Sequence, residues 1–409
     1  MHSGNTSALL KEPSNNFAQR LSDAMPQLNI TQGVTHMSNS YFDFNATSPV
    51  RPEVIDAMNR AMVDPGNASS VHSYGRGARA LVDDARASVA KLVGAEPEWV
   101  IFCGSGTEAD NQVLRCCPAE TVLISAIEHD AVRFARTDSR KIQVTINGLV
   151  DLHALDKALD QASGLTLISV MAANNETGVV QPLEEINLLA KRYGALLHTD
   201  AIQAAGKIKV DMMSLGADFL SLSAHKIGGP QGVGALIVRD KSLLNRFVHG
   251  GGQEYALRAG TENVPGIVGF GVAAVCAQNE LNSFSRLAEW RDGLESRMLA
   301  IDNSITIFGR SEARLPNTSK LATPGFSAEV QVLGMDLAGY AISSGSACSA
   351  GRVDPPFVLT EMGVADELAS CAIRISLGWT TKEREISGFV DAWSKLYSRN
   401  RERILKNTA

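Results

Sequence analysis

The stretch that decides the fold is FLSLSAHKIGGPQGVGAL, residues 219–236. Two apolar, strand-like runs flank a polar loop that carries Ser223, His225 and Lys226 just ahead of a Gly-Gly-Pro sequence. Because no helix continues through Gly-Gly-Pro, we expect the Lys226 amine to lie on a tight loop beside a buried sheet. An exposed loop lysine is the plainer alternative, and the core-like runs on both sides disfavour it.

Apolar runs and amphipathic helical runs alternate on both sides of this stretch, from Arg51 to about Ala277. Several runs are apolar nearly throughout, as strands are when helices cover both faces of their sheet. The predicted strands are WVIFCG, TVLISA, LTLISVMAA, ALLHTDA, DFLSLSA and GALIVRD, and the predicted helices are ARALVDDARASVAKLVG, TEADNQVLRCC and LEEINLLAKRYG. The pattern predicts an α/β domain with a mainly parallel sheet.

The rest of the chain indicates a second, smaller unit. The helical run GIVGFGVAAVCAQNELNSFSRLAEWRDGLESRMLAI leads to ITIFG, SKLATPG and AIRISLG, which precede a last helical run from Thr381. We therefore expect a large domain over residues 51–278 and a smaller α+β domain formed by residues 36–50 and 279–409. Residues 1–35 lack an apolar core and are predicted to be a disordered extension.

Composition argues against several classes of protein. The 409 residues are 44% hydrophobic and 20% charged, with a net charge of −6 and no dense Lys/Arg block, so nucleic acid is not an expected partner. The run LTLISVMAA is only strand-sized, so we expect no membrane span. The N-terminal residues fit neither a secretory signal nor a transit peptide, which predicts a cytoplasmic protein. The cysteines show no metal-ligand spacing, so no metal site is predicted.

Polar residues follow the predicted strands at the edge where parallel sheets bind their ligands. After WVIFC, residues 104–107 read Gly-Ser-Gly-Thr and lead into a helix, whose free N–H groups and Thr107 hydroxyl suit a phosphate. After ALLHT, Asp200 emerges from a buried strand and Gln203 follows; a buried carboxylate needs a cation or a strong donor. Helix N-caps at Thr107 and at Asp200 are the plainer alternatives.

Together with the lysine loop, these residues describe one ligand. A phosphate would lie on the helix start, a cationic ring nitrogen would face Asp200, and an aldehyde would be captured by Lys226. Pyridoxal 5′-phosphate (PLP) has these three groups, and a lysine Schiff base and an acid-paired pyridinium are its usual attachments. The sequence therefore predicts a PLP site.

The order and wording of these motifs resemble the cysteine desulfurase family, in the class V aminotransferase group of fold-type I PLP enzymes. The resemblance runs from about Tyr41 to Leu396. The motifs that carry it are YFDFNATSP, GNASSVHSYGRGAR, SGTEADN, IEHDAVR, NNETGVVQP, HTDAIQAAGK, SLSAHKIGGPQGVGAL, GGGQEYALRAGTENVPGIVG, LPNTS, SSGSACSAG and IRISLG. It implies the fold-type I PLP-dependent transferase fold, with a large domain and a small α+β domain.

The resemblance also implies roles for individual residues around the ring of the cofactor. Lys226 would form the Schiff base, and Asp200 would pair with the ring nitrogen. Gln203 would bond the phenolic oxygen of the ring. His129, in IEHDAVR, would stack on the ring face and help to move protons.

Further roles concern the phosphate of the cofactor and the assembly. The residues implied to hold the phosphate are Gly106, Thr107, Ser223 and His225. Thr261, in RAGTEN, would reach the phosphate bound by the partner subunit, which implies a homodimer.

The substrate and the nucleophile are implied in the same way. Asn175 and Arg374 would hold the substrate carboxylate, and Arg374 is the better candidate because a guanidinium binds a carboxylate through two parallel hydrogen bonds. Cys348 lies in ISSGSACSAGRVDPP, where packing does not explain a thiol. It matches the family nucleophile that takes sulfur from L-cysteine, leaving L-alanine and a persulfide for an acceptor protein in iron–sulfur cluster assembly or tRNA thiolation.

Other functions remain open at this point. A selenocysteine lyase or another class V aminotransferase-type enzyme would use the same scaffold, whereas a cofactor-free binding protein would not need Lys226, Asp200 and Cys348 together. The chain also departs from the family at residues 253–256, QEYA, where many members read Gln/His-Glu-Arg-Gly. It has AGT in place of SGT, and Phe44 where Asn or Ala is usual. These departures concern the rim of the site.

Overall fold

The computed structural model describes residues 40–344 and 356–408, with side chains described to residue 401. The predicted extension over residues 1–35 and the candidate nucleophile Cys348 lie outside the described residues. The strands are β1 Ser40–Tyr41, β2 Val100–Cys103, β3 Thr121–Ser125, β4 Arg140–Ile142, β5 Thr166–Ser169, β6 Leu196–Asp200, β7 Phe219–Ser223, β8 Gly234–Val238, β9 Thr306–Ile307, β10 Thr318–Ala322, β11 Tyr340–Ala341 and β12 Ala372–Ser376.

Helices fill most of the remaining described chain. They are α1 Pro52–Val63, α2 Ser73–Leu92, α3 Gly106–Cys116, α4 Asp130–Arg133, α5 Leu152–Asp160, α6 Leu183–Tyr193, α7 Met212–Leu215, α8 Val264–Ser285, α9 Leu287–Ile301, α10 Ala328–Leu337, α11 Phe357–Glu361, α12 Asp366–Ala369 and α13 Glu383–Thr408. Short 3₁₀ turns lie at Pro97–Trp99, Ala224–Lys226, Lys241–Leu243 and Glu254–Ala256.

A seven-stranded sheet forms the centre of the larger part of the chain, in the order β2-β8-β7-β6-β5-β3-β4. Strand β8 runs antiparallel to both of its neighbours, and the other neighbouring strands pair in parallel. Alternate residues of β2 point to opposite faces. Val100 and Phe102 join the core that includes α2 and α8, and Ile101 and Cys103 join a second core that includes α3. The predicted α/β fold with a mainly parallel, helix-covered sheet is confirmed.

A separate core lies around a small antiparallel sheet, β12-β10-β9, while β1 pairs in parallel with β11. Phe42, Met298, Phe389 and Trp393 are among its buried side chains, so segments from both ends of the described chain pack together here. The predicted domain limits at residues 50 and 278 stay a prediction.

The long helical run between the two parts is divided into α8 and α9, which meet at Arg286. By length and composition alone α8 could cross a membrane, but 61% of its most apolar window is buried. Its side chains Val268, Phe270 and Ala274 lie in the same core as residues of α1 and α2. Its apolar character is therefore accounted for by packing against these helices.

Some elements were not predicted, and others are shorter than expected. The apolar run LTLISVMAA contains only the four residues of β5, and ITIFG contains only the two of β9. Strand β4 reads RKI and helix α4 reads DAVR, sequences too short and too polar to show a periodic pattern. The carboxyl ends of β2, β6 and β7 nevertheless point to one edge of the sheet, as expected.

Candidate functional site

The carboxyl ends of these strands border one cavity of about 500 Å³, a volume that suits a small cofactor. Most of the residues singled out from the sequence line it. They are Gly106, Thr107, His129, Asn175, Asp200, Gln203, Ser223, His225, Lys226 and Arg374. The structure thus brings together side chains from both parts of the molecule, while the role of each residue stays a prediction.

Lys226 ends the 3₁₀ turn that follows β7. The next residues bend back, since the N–H groups of Ile227 and Gly229 both donate to the Ala224 carbonyl and Gly228 has a φ of +85°, which favours glycine. The Lys226 Nζ donates to the main-chain carbonyls of Asn45 at 2.5 Å and Ala46 at 2.8 Å. The amine is thereby held at the cavity, as the Gly-Gly-Pro sequence predicted.

The start of α3 lies at the cavity, where the sequence predicts an anion site. Its N-cap is Ser105, whose Oγ accepts from the Glu108 N–H at 3.1 Å, so the alternative of Thr107 as the capping residue is wrong. A Cβ at Gly106 would lie 2.2 Å from Cδ1 of Ile202 and 3.4 Å from Cβ of Ser223, so a larger residue would displace the Ile202 side chain. Thr107 therefore keeps its hydroxyl exposed at the cavity, beside helix N–H groups that have no intrahelical acceptor.

Asp200 ends β6 and is buried at the floor of the cavity. A turn follows rather than a helix, and Oδ1 of Asp200 accepts from the Ile202 N–H at 2.8 Å, so the N-cap alternative is wrong here too. Burial raises the pKa of Asp200, although the Ile202 N–H and the charges of His129 and Lys226 lower it. A carboxylate in this position would be stabilised by a cationic ring nitrogen.

Gln203 is held from both ends of its amide group. Its Nε2 donates to the Asn45 carbonyl at 2.9 Å, the same oxygen that Lys226 contacts, and its Oε1 accepts from Nζ of Lys207 at 2.7 Å. Lys207 also donates to Oδ1 of Asn45 at 2.8 Å. Sequence analysis missed Lys207 and Asn45, although Lys207 closes the quoted motif HTDAIQAAGK four residues after Gln203.

His129 is the N-cap of α4, and its Nδ1 accepts from the Ala131 N–H at 3.2 Å. This contact leaves the imidazole Nε2 as the atom that can carry and exchange a proton. His225 forms a hydrogen bond between Nδ1 and the Thr47 hydroxyl at 3.1 Å. Burial and then the charge of Lys226 lower the pKa of His225 to about 4, so this imidazole is neutral near pH 7.

Two further buried carboxyl groups lie near Asp200 and were missed. Asp110, on α3, lines the cavity, and burial and the charge of Asp200 raise its pKa well above the usual value. Burial and then the charge of Asp200 also raise the pKa of Glu128 well above its usual value. The Oε1 of Glu128 accepts from the Met171 N–H at 2.7 Å. A negative charge on Asp200 thus disfavours a second negative charge on Asp110 or Glu128.

Arg374 lies in the middle of β12 and is almost fully buried. Its Nη2 donates to Oδ1 of Asp43 at 2.7 Å, and its Nη1 donates to the Asn175 carbonyl at 3.1 Å. Arg374 and Asn175 thus lie together at the cavity, as predicted for a carboxylate site. Asp43, also missed by sequence analysis, does not line the cavity in the part of the chain that the structure describes.

Thr261 is exposed and is absent from the cavity lining among the described residues. The segment before it contains the unusual QEYA sequence, in which Glu254, Tyr255 and Ala256 all have positive φ values of 46°, 58° and 62°. The Glu254 carboxylate holds this segment, because it accepts two bonds of 2.8 Å from Arg86. The departure from the family pattern thus lies in a left-handed turn that Glu254 fastens to Arg86 on α2 and to the Phe102 N–H on β2.

PLP fits the residues present. The α3 start offers unpaired N–H groups for a phosphate, Asp200 is a buried carboxylate whose raised pKa a ring cation would lower, and the Lys226 amine lies in the same cavity. These are the phosphate, ring-nitrogen and aldehyde partners that PLP requires. We infer that the cavity is built for this cofactor.

Comparison with known proteins agrees with this chemistry. The profile of the class V aminotransferase family matches residues 40–389. The chain is 41% identical to a cysteine desulfurase of Cereibacter sphaeroides, over 84% of this chain and 92% of the relative. It is 36% identical to the cysteine desulfurase IscS of Dictyoglomus turgidum, over 88% of this chain and 95% of the relative.

A solved structure gives the same result. The NifS-like protein of Rickettsia africae superimposes with a TM-score of 0.83 at 36% identity, covering 88% of this chain and 99% of that chain. The matched range includes the large sheet, the small sheet and every described residue of the cavity. The chain belongs to the class V aminotransferase family and, within it, to the cysteine desulfurases.

Proposed function

We propose that this protein is a PLP-dependent cysteine desulfurase that converts L-cysteine to L-alanine and retains the sulfur as a persulfide on Cys348. The observation that carries the proposal is the meeting of Lys226, Asp200 and the α3 start in one cavity with Arg374. PLP, when bound, supplies an electron sink that weakens the C–S bond of the substrate. The protein supplies the attachment, the charges, the protons and the nucleophile.

Each described residue has a defined task in this reaction. Lys226 provides the amine that attaches the cofactor, and Asp200 keeps a proton on the ring nitrogen. Gln203 holds its side-chain amide beside the Lys226 amine, because both groups donate to the Asn45 carbonyl oxygen. His129 carries protons on Nε2, because Nδ1 is occupied as an acceptor. Arg374 binds the α-carboxylate and so fixes the orientation of the substrate.

Cys348 is assigned as the nucleophile by its match to the family motif SSGSACSAG. Its thiolate attacks the substrate sulfur; the S–S bond forms as the C–S bond breaks, and the carbon receives a proton to give alanine. Cys348 lies outside the described residues, but Phe357, soon after it, lines the cavity, and Ser343, just before it, pairs with Arg374. The flanking chain therefore lies at the reaction site.

The other cysteines are poor candidates for this role. Cys103, Cys116, Cys117 and Cys276 have pKa values raised by burial, which leaves little thiolate at neutral pH. None of them, nor the buried Cys371, lines the cavity. These contrasts support Cys348.

The assembly, the acceptor and the location are part of the proposal. Since Thr261 is exposed and outside its own cavity, a homodimer in which it reaches the partner subunit's phosphate accounts for the RAGTEN motif. The persulfide sulfur passes to an acceptor protein of iron–sulfur cluster assembly or tRNA thiolation. We place the protein in the cytoplasm, where cysteines stay reduced, and the described cysteines are free thiols.

Two variants test this function. Lys226→Ala should remove the borohydride-reducible visible absorption band of the attached cofactor, because Lys226 is the only lysine that lines the cavity among the described residues. Cys348→Ala should keep that band but lose alanine production by orders of magnitude, since the thiol that accepts the sulfur is gone. The measurements are absorption spectra, alanine release from cysteine with a reductant, and mass spectrometry of the Cys348 peptide for one added sulfur.

An unchanged reducible band in Lys226→Ala would contradict the attachment site. Near-normal alanine release by Cys348→Ala, or persulfide on another cysteine only, would contradict the nucleophile. Comparing rates with cysteine and selenocysteine separates this function from that of a selenocysteine lyase.

A further inference from the structure

Arg374 carries a charge that the protein must balance before any ligand arrives. The side chain is 2% exposed, and a buried guanidinium without a counter-ion is strongly destabilising. Its closest acidic partner is Asp43, with Oδ1 at 2.7 Å from Nη2. Lys320, opposite Arg374 on β10, has its own partner, because its Nζ lies 3.0 Å from Oε2 of Glu176. Asp43 is therefore not needed as the counter-ion of Lys320, and it neutralises Arg374.

Asp43 approaches Arg374 from outside the cavity. The chain after β1 runs beside β12, where Asp43 forms a bridge to Ser376 and the Phe44 N–H donates to the Ser376 carbonyl. Asp43 does not line the cavity in the described parts of the chain, whereas Arg374 does. A ligand carboxylate can therefore meet the guanidinium on the cavity side while Asp43 remains in place.

The nearby Tyr41 hydroxyl group does not help to neutralise the charge of Arg374. Tyr41 donates to the main-chain carbonyls of Asp43 and Thr47, each at 3.0 Å. Burial and the charge of Asp43 raise the pKa of Tyr41 to about 12, although Arg374 lowers it, so the phenol stays neutral. Asp43 is left as the anion beside Arg374.

Two carboxylates on one guanidinium repel each other. The resident carboxylate stabilises the free protein and also weakens the attraction of Arg374 for an incoming carboxylate. We propose that Asp43 is the resident counter-ion of Arg374 and thereby sets how strongly the cavity holds the α-carboxylate of its substrate and product. This inference rests on the proposed function. It makes Asp43 a residue that limits affinity so that alanine leaves the site.

Asp43→Asn tests the inference, because it keeps an oxygen acceptor for Arg374 and removes only the charge. We expect the variant to bind L-alanine about tenfold more tightly, with KM for cysteine lowered in proportion. The melting temperature without ligand should fall, and the rise on adding L-alanine should be larger than in the wild type. A merely structural role would lower stability and affinity together.

The matched control is Glu280→Gln. Glu280 is the counter-ion of the buried Arg51, at 2.7 Å, and neither residue lines the cavity. This variant should lose stability as Asp43→Asn does but bind L-alanine as the wild type does. If Asp43→Asn folds poorly, purification with L-alanine should restore it, since the ligand replaces the missing anion.

Unchanged or weaker alanine binding by Asp43→Asn, or failure of L-alanine to rescue a poorly folded variant, would overturn the inference. The wild type separates this result from a failure of the proposed function. If the wild type shows neither the cofactor band nor a thermal shift with L-alanine, the function itself is wrong. If the wild type shows both and Asp43→Asn binds no more tightly, only the role of Asp43 is wrong.

Discussion

His198 lies two residues before Asp200 on β6, so both side chains point to the same face of the sheet. It is completely buried, with Nδ1 2.8 Å from the Ser169 hydroxyl and Nε2 3.0 Å from the Ser221 hydroxyl. Both serines lie on the strands that flank β6. Burial lowers the pKa of His198 to about 3, so the ring is neutral in the folded protein at physiological pH.

We predict that His198 makes the stability of the protein depend on pH. Its folded pKa of about 3 lies below the ordinary value of 6.5, so its contribution to stability is complete above pH 6.5 and is lost as pH falls towards 3. One proton costs about 1.4 kcal/mol per pH unit over that range. His198→Gln should therefore be less stable than the wild type near neutrality, with the gap narrowing by roughly 2 kcal/mol on going to about pH 5.

Urea unfolding at the two pH values measures this gap. His153→Gln, a change at an exposed histidine of α5, serves as the control and should follow the wild type at both. A gap that stays constant with pH would mean that His198 binds a proton as readily in the folded protein as in the unfolded chain, which would refute the lowered pKa.

At this scale, sequence analysis located the residues that emerge from strand ends but not those that support them. Asp200 and Lys226 follow apolar runs, and a strand end is visible in a sequence. Asp110 lines the cavity from α3, and Lys207 donates to Gln203. Asp43 contacts Arg374 from a segment that meets β12 only in the folded chain. No local pattern encodes that meeting, which is why Asp43 was missed.

At the scale of single elements, the turn at residues 254–256 combines a strained backbone with side-chain contacts that offset the strain. Three consecutive residues other than glycine have positive φ, a conformation that costs each of them roughly 1 kcal/mol. The Glu254 carboxylate offsets this cost, since it accepts from Arg86 and from the Phe102 N–H at 2.9 Å. The Tyr255 ring lies near the Arg86 and Lys241 cations, at 5.4 and 4.4 Å from its centroid.

The second prediction follows from this turn. Ala256→Gly should be neutral or stabilise the protein by about 0.5 kcal/mol, because glycine adopts a φ of 62° without the steric cost, which outweighs its greater freedom in the unfolded chain. Thermal or urea unfolding provides the measurement. Ala273→Gly, inside the buried helix α8, is the matched control and should destabilise by about 1 kcal/mol or more. Equal losses from both changes would refute strain at Ala256.

Elements with long periodic or uniformly apolar sequences were predicted correctly, and short ones were not. Helix α2 buries one face, so its apolar residues recur at helical spacing. Strand β7 is buried throughout, so its sequence is a short apolar run. Strand β4 is a three-residue edge strand in which Arg140 and Lys141 are exposed, so it has no hydrophobic pattern. Its place is set by pairing with β3, which is a tertiary contact.

At the scale of the whole molecule, an apolar surface lies on α1 and the loop before it. This α1 surface is a groove lined by Val50, Ile55, Met58 and Met62, among others. Met62 also borders a second groove that includes Glu262, the residue after Thr261. Because Thr261 is proposed to reach the partner subunit, the α1 surface would lie within the same interface.

The third prediction is therefore that Ile55→Glu with Met62→Glu yields monomers, since two buried carboxylates would face an apolar partner surface. Sedimentation of the wild type should show a dimer. Leu337→Glu, at a 90% exposed leucine of α10 outside the α1 surface, is the control and should remain dimeric. The monomers should also bind PLP more weakly, because each site lacks the partner's Thr261. A fully active wild-type monomer would refute this arrangement.

The position of Asn45 has a consequence for how the protein is made. Its carbonyl holds the Lys226 amine, while its own N–H donates to Ser376 Oγ at 3.0 Å and its Nδ2 donates to Thr318 Oγ1 at 2.9 Å. These partners follow Asn45 by 331 and 273 residues. During translation, Asn45 is synthesised before both partners, so its contacts with them form only after β10 and β12 have left the ribosome. A chain released before β12 would therefore lack the Ser376 contact that helps to fix the Asn45 carbonyl beside the lysine loop.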